Sequence, residues 1–208
     1  MEDKKDLLAL DVRGFAAAVA AKTPTPGGGS VAGVVAALGT ALGEMALNFT
    51  RGKKKFAAFE ADYARIGHRL ELARRMSQDL VADDVSAYRL YRDAAAMTDG
   101  PDKDQAMQLA LAAAIAVPRE MTKVILAMME DLAALSDKCN PYIISDLVAG
   151  AALGAAAVKL CDFNVRINCP QVKDAAAAAD LRAASALDVR KAQAILAAVE
   201  QAAKPQLG

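Results

Sequence analysis

Apolar positions along the chain recur at steps of three and four, and the rhythm breaks at clusters of proline and glycine. Leu7, Leu10, Gly14, Ala17 and Ala18 share one side of a first predicted helix over residues 6–21. Thr23-Pro24-Thr25-Pro26 ends it, because proline fixes φ and turns the residue before it extended. Gly27, Gly28 and Gly29 follow, then Ser30, whose hydroxyl suits the N-cap of a second helix over 31–50. Phe59, Tyr63, Ile66, Leu70 and Ala73 set the stripe of a third, and the stepping continues through Ser77, Leu80 and Asp84. The stretch from Lys55 to Met97 holds no proline. As one straight helix it would reach roughly 60 Å, so a bend, a break or a projection into a partner is expected. Thr98-Asp99-Gly100-Pro101 predicts a turn, 102–117 a helix that Pro118 kinks or restarts, and 119–135 an amphipathic segment ended by Lys138-Cys139-Asn140-Pro141. Residues 142–168 form a second small-residue helix stopped by Pro170, and an alanine-rich amphipathic helix runs from 174 to about 203.

The two small-residue helices are expected at the centre. Glycine inside a helix costs about 1 kcal/mol relative to alanine, so Gly33, Gly39 and Gly43 need a close neighbour, and Ala149, Gly150, Gly154 and Ala157 offer a matching surface. The predicted fold is all-α, an antiparallel multi-helix bundle forming one domain over 1–208 around this Gly/Ala-rich pair. Composition agrees, since hydrophobic residues make up 55% of the chain but aromatics only 4%, and no alternating β-branched run predicts a sheet.

Charge and cysteine usage narrow the partners. Lys+Arg and Asp+Glu each number 25, so no net field draws the chain to nucleic acid or anionic lipid. Residues 31–49 approach the length of a bilayer span, about 20 residues. Glu44, Asn48 and the scarcity of Leu and Ile make them a poor one, and no membrane association is expected. Cys139, Cys161 and Cys169 have neither a C-x-x-C spacing nor a histidine to complete a zinc site. They read as free thiols in a reducing compartment, with no metal. The first fifteen residues mix acids with lysines and lack an unbroken apolar core, so no secretory signal is expected and the predicted location is cytoplasmic.

Several side chains are candidates for chemistry. The glycine corner leaves unpaired N–H groups at the positive end of a helix dipole, a place for a carboxylate or phosphate; the alternative is a flexible lead-in to a buried helix. No Lys-Ser/Thr follows the last glycine and no strand precedes it, so neither nucleotide-binding motif is present. Asp83 and Asp84 diverge by about 100° on a helix. The stepping turns Asp84 inward, where burial raises a carboxylate's pKa and suits it to proton transfer; a bend near residue 77 would instead leave both acids solvated. Asp146 shares a stripe with Gly150, Leu153, Ala157, Asn164 and Asn168. Asp146 and Asn164 stand roughly 27 Å apart along one helix, too far for one compact site within one copy, although antiparallel pairing with a second subunit would bring opposite ends together. Ser145 and Asp146 as simple support for a helix start is the other reading. Lys53, Lys54 and Lys55 read either as a solvated run offsetting a helix dipole or as an anion anchor. His68 lies about 200° from the apolar stripe and faces solvent, which leaves proton transfer to carboxylates, lysines or amides.

Six stretches in this order resemble the cyclodeaminase/cyclohydrolase family: Pro24 to Ser30 (PTPGGGS) with the small-residue helix after it; Asn48-Phe49-Thr50-Arg51-Gly52-Lys53-Lys54-Lys55-Phe56; Ala82-Asp83-Asp84; Val117-Pro118; Asn140-Pro141 with Ser145-Asp146; and Asn164-Val165-Arg166-Ile167-Asn168. That family includes the cyclodeaminase domain of formiminotransferase-cyclodeaminase and stand-alone bacterial methenyltetrahydrofolate cyclohydrolases, and the likeness covers most of the chain. It implies an all-α fold that forms a homodimer and acts at the one-carbon bridge of tetrahydrofolate, with the folate as substrate and no cofactor. The first expectation is hydrolysis of 5,10-methenyltetrahydrofolate to 10-formyltetrahydrofolate, whose electrophilic carbon requires no metal. The second is formiminotetrahydrofolate cyclodeamination with release of ammonia, and the third a non-catalytic helical interaction module. The resemblance implies Asp84 or Asp146 as proton acceptor and Lys53 or Lys55 polarising or binding the folate. Gly27, Gly28, Gly29, Ser30, Lys54, Asp83, Asn140, Ser145, Asn164 and Asn168 complete the implied substrate contacts. Asn164 and Asn168 would meet the mixed edge of a pterin, the alternative being hydrogen bonds to neighbouring backbone, and the lysines its glutamate tail. Two departures stand out: Arg51, where many relatives carry an apolar residue, and the 97–104 connection, which lacks the usual proline placement.

Overall fold

Proline and glycine set the ends of six helices: α1 Val12–Ala20, α2 Gly28–Asn48, α3 Glu60–Ala95, α4 Pro101–Ser136, α5 Ile144–Asn168 and α6 Ala175–Leu207. The computed structural model describes residues 6–207, and among these there is no strand; residues 1–5 of the leader-peptide reading lie outside them. Helices α2 to α5 form an up-and-down four-helix unit, and α6 packs on α4 and α5. Paired positions fix the antiparallel order. Gly29 meets Asp84 while Gly67 meets Leu47; Arg69 binds Asp131 at 2.7 Å while the Tyr63 hydroxyl donates to the Lys138 carbonyl at 2.7 Å. Ile66 and Leu70 of α3, Met129, Leu132 and Leu135 of α4, and Leu147 and Val158 of α5 fill the interior against Ala32 and Ala36 of α2.

The expected Gly/Ala-rich centre is there. A Cβ on Gly150 would stand 2.7 Å from the Gly39 carbonyl oxygen, and one on Gly39 would stand 2.9 Å from the Gly150 oxygen. The two backbones therefore touch, and neither position has room for a side chain. Gly154 makes room instead for Met129, and Gly43 for Leu132, both from α4. Ala149 turns outward and is exposed. Helix α2 and the stretch Pro141–Gln171 are long and apolar enough to cross a membrane on length and composition alone; here they pack against each other within the bundle.

Four local expectations are corrected. The first helix is split: Asp6 Oδ1 accepts from the Leu8 N–H at 2.9 Å and Asp11 Oδ1 from the Gly14 N–H at 2.6 Å. Two side-chain caps thus start a short turn, Leu7–Ala9, and then α1, which buries no residue. Helix α2 begins at Gly28 with Gly27 as its cap, so Ser30 lies in the first turn and its hydroxyl serves elsewhere. The 55–97 stretch breaks near its start, where the 3-10 turn Lys54–Phe59 precedes α3. Helix α3 then runs for 36 residues, roughly 54 Å, without interruption at Ser77, the place of the alternative bend, whose hydroxyl donates to the Ala73 carbonyl at 2.8 Å. Pro118 sits buried inside a continuous α4. Proline removes one backbone hydrogen bond there, but packing on three neighbouring helices holds the helix through it.

Candidate active site

The N-terminus of α2, the C-terminal third of α3 and the C-terminal end of α5 converge on a cleft of about 290 Å³. Asp84 is its ionisable centre. The Ser30 hydroxyl donates to Asp84 Oδ2 at 2.8 Å, and the Ser30 backbone N–H adds a second bond. Burial pushes the Asp84 carboxyl above its ordinary value, and these two Ser30 bonds oppose the rise without cancelling it. Gly29 has a steric reason, because any Cβ there would collide with the Asp84 carboxylate. Gly28 has a different one: its Cβ would stand 3.5 Å from Asn164 Nδ2, an ordinary contact, so a side chain would fit but would occupy the mouth of the cleft.

Asn164 and Asn168 line the same space, one turn apart. Asn164 Nδ2 donates to the Leu160 carbonyl at 2.9 Å and Asn168 Nδ2 to the Asn164 carbonyl at 2.8 Å. A carbonyl can only accept, so the helix pins both amide nitrogens, and the groups best placed to meet a ligand are the two amide oxygens. With the α2 N-terminal N–H groups opposite, the cleft offers donors on one wall and acceptors on another, about a carboxylate poised to take a proton.

The remaining predicted site residues lie elsewhere. Asp83 lines a separate cleft of about 260 Å³ between the Leu7–Ala9 turn and α3. Lys53, Lys54 and Lys55 are exposed beyond the far end of α2, a helix of 21 residues and so about 30 Å from the glycine corner. Ser145 and Asp146 start α5 at that same end, with Ser145 Oγ 3.5 Å from Asp146 Oδ2. Asn140 is buried there as a clamp: its N–H donates to Thr50 Oγ1 at 2.9 Å, its Nδ2 to the Phe49 carbonyl at 3.1 Å, and its Oδ1 accepts from the Tyr142 N–H at 3.3 Å. That leaves its amide no free end for a substrate. Within one copy, then, Gly27, Gly28, Gly29, Ser30, Asp84, Asn164 and Asn168 come together, and the lysines, Ser145 and Asp146 gather at the opposite end. His68 is exposed, as expected, and the three cysteines are free and buried.

Sequence reasoning missed Tyr88, Tyr91, Ala114 and Gln171, which also line the cleft. The signal for the tyrosines was present, since positions 84, 88 and 91 continue the stripe of Ile66, Leu70 and Ser77.

A family model described as formiminotransferase-cyclodeaminase matches residues 11–186. The chain belongs to that family. Among relatives of this formiminotransferase-cyclodeaminase family member is a methenyltetrahydrofolate cyclohydrolase of Methylorubrum extorquens, 31% identical over 167 residues that cover 78% of this chain and 80% of that protein. The formimidoyltransferase-cyclodeaminase of Dictyostelium discoideum is 32% identical over 169 residues, and the match spans 81% of this chain but 32% of that longer protein. The fold is similar to the crystal structure of a formiminotetrahydrofolate cyclodeaminase from Thermotoga maritima, with a TM-score of 0.81, 30% identity and 97% of each chain covered.

Proposed function

We propose that the protein is a methenyltetrahydrofolate cyclohydrolase and that Asp84 is its proton acceptor. The observation that carries the reading is the Asp84 carboxylate, held on the first turn of α2 and facing a cleft walled by Asn164 and Asn168. Water adds through oxygen to the amidinium carbon of the methenyl bridge and gives a proton to Asp84. The resulting hydroxyl carbon loses its proton and becomes the formyl carbonyl as the bond from carbon to N5 breaks. N5 takes up a proton, so each turnover releases one proton net. Asn164 and Asn168 accept hydrogen bonds from the donor edge of the pterin.

The protein acts as a two-fold homodimer in this reading. Leu38 is 56% exposed on α2, while Phe163 and Ile167 of α5 are 54% and 72% exposed. These side chains lie on the outer face of the α2–α5 pair, away from the core, where solvent contact is costly for so much apolar surface. A two-fold axis lying in that face and perpendicular to the helices sets the glycine corner of one copy beside the lysine and Asp146 end of the other. Lys53, Lys54 and Lys55 then anchor the glutamate tail, and Asp146 joins the site from across the interface.

The second reading, formiminotetrahydrofolate cyclodeaminase, is favoured by the coverage of the Thermotoga maritima likeness over 97% of both chains. Both reactions share a methenyl-folate and fit the same cleft. Purified protein supplied with each folate separates them: loss of the methenyl absorbance marks hydrolysis, and its appearance from the formimino compound marks cyclodeamination. Background rates with both would end the enzyme reading.

A further inference from the structure

Helix α3 is longer than the helix it packs against. Asp84 meets the first turn of α2 at Gly29, yet α3 continues to Ala95, about 16 Å farther. Up to Asp84 the inward stripe of α3 is covered by α2 and packs as core. Beyond it the stripe continues and α2 does not, so Tyr88 and Tyr91 line the cleft at 37% and 38% exposure. Ala87, which lines the same cleft, and Ala94 remain buried beside them. In a chain with four tyrosines and no tryptophan, two aromatic rings stand in one small cleft, one and two turns from the acid.

We propose that this overhang is a stacking wall, on which the ring faces of Tyr88 and Tyr91 hold the flat cationic ring system of a methenyl-folate against Asp84. The inference rests on the folate reading above and assigns two residues that the family motifs do not contain. An aromatic face attracts a delocalised cation through its quadrupole. Addition of water neutralises that cation only once the new bond is made, so the wall grips substrate and an early, still cationic transition state alike and both more firmly than product. Loss of the wall therefore appears in KM rather than in kcat.

The test is steady-state kinetics on Tyr88→Leu, Tyr91→Leu, Tyr88→Phe and Tyr91→Phe. Each leucine variant is expected to raise KM for the methenyl compound about tenfold with kcat within about twofold, while each phenylalanine variant keeps the wild-type KM. Tyr91→Trp combined with Asp84→Asn, which slows turnover, supplies an equilibrium readout in a chain otherwise without tryptophan: saturable quenching by the cationic methenyl compound. Unchanged KM in the leucine variants overturns the wall, as does an equal loss in the phenylalanine variants, which would assign the effect to the hydroxyls. Absence of quenching overturns it too. A wild-type protein that turns over neither folate takes down the folate reading and this inference together, whereas turnover with a flat KM series removes only this inference.

Discussion

Asp84 is held between two opposing demands. The fold buries it, which disfavours its charge, and the first turn of α2 supplies donors that favour the charge; burial dominates, so its pKa stands above the ordinary 3.8. A carboxyl with a raised folded value binds its proton more tightly in the native state than in the unfolded chain. Its ionisation therefore erodes stability as pH climbs from 3.8 through the raised value, and the cost persists at neutral pH. Asp84→Asn is expected to melt above wild type at pH 7, with the advantage vanishing below pH 3.8, where the acid is neutral in both states. The same change should lower kcat by about 10²- to 10⁴-fold. The wild-type pH–rate profile should show an acid limb above 3.8, because only the ionised form accepts the proton. Gly29→Ala tests the geometry: the added methyl displaces the Asp84 carboxylate from Ser30, and kcat should fall at least about tenfold while Gly28→Ala, which meets only the Asn164 amide at van der Waals distance, should chiefly raise KM. The inward turn of Asp84 was legible from the stepping of Ser77 and Leu80. The role of Ser30 was not, because a cap and a first-turn residue differ only in where the backbone begins to coil.

The elements were easiest to read where packing agrees with local chemistry. Gly39 and Gly150 demanded a close neighbour and have each other. Gly150→Ala forces a methyl to within 2.7 Å of a backbone oxygen that cannot rotate aside. The expected cost is about 1–3 kcal/mol, seen as a thermal midpoint lower by several degrees and measurable by calorimetry. Reading failed where tertiary contacts override a local signal. Pro118 marks a break by its own chemistry, but α4 continues through it, packed among its neighbours. Helix α3 continues through residue 77 for the same reason: α2 packs on it there, with Gly33 against the Ser77 carbonyl. The first helix failed the other way, since two aspartate caps within six residues outweighed a weak apolar stripe that nothing covers.

At the scale of the whole molecule, one copy holds the proposed machinery in two groups about 30 Å apart, which the proposed two-fold partner would reunite. Leu38→Asp, on the outer face of α2, should shift the protein from dimer to monomer in light scattering and abolish activity while the helical circular dichroism remains. Complementation makes a sharper check. Asp84→Asn and Lys53→Ala proteins, each inactive or nearly so alone, should recover about a quarter of wild-type activity when unfolded and refolded together, because random pairing makes half the dimers mixed and each mixed dimer carries one intact site. If the mixture stays at the sum of its parts, the lysines belong to a different function.

Hydrophobic period, proline and glycine placement and the order of six short motifs were enough to determine an all-α bundle, its central glycine pair and its family, because these depend on near neighbours along the chain and on the space a side chain occupies. What only the tertiary structure decided is where one helix stops relative to the next. The end of α2 opposite Asp84 turns a core stripe into a cleft wall and leaves Tyr88 and Tyr91 partly exposed beside the glycine corner. No local pattern encodes that offset, since it is set by how two helices far apart in sequence settle against each other at Gly39 and Gly150.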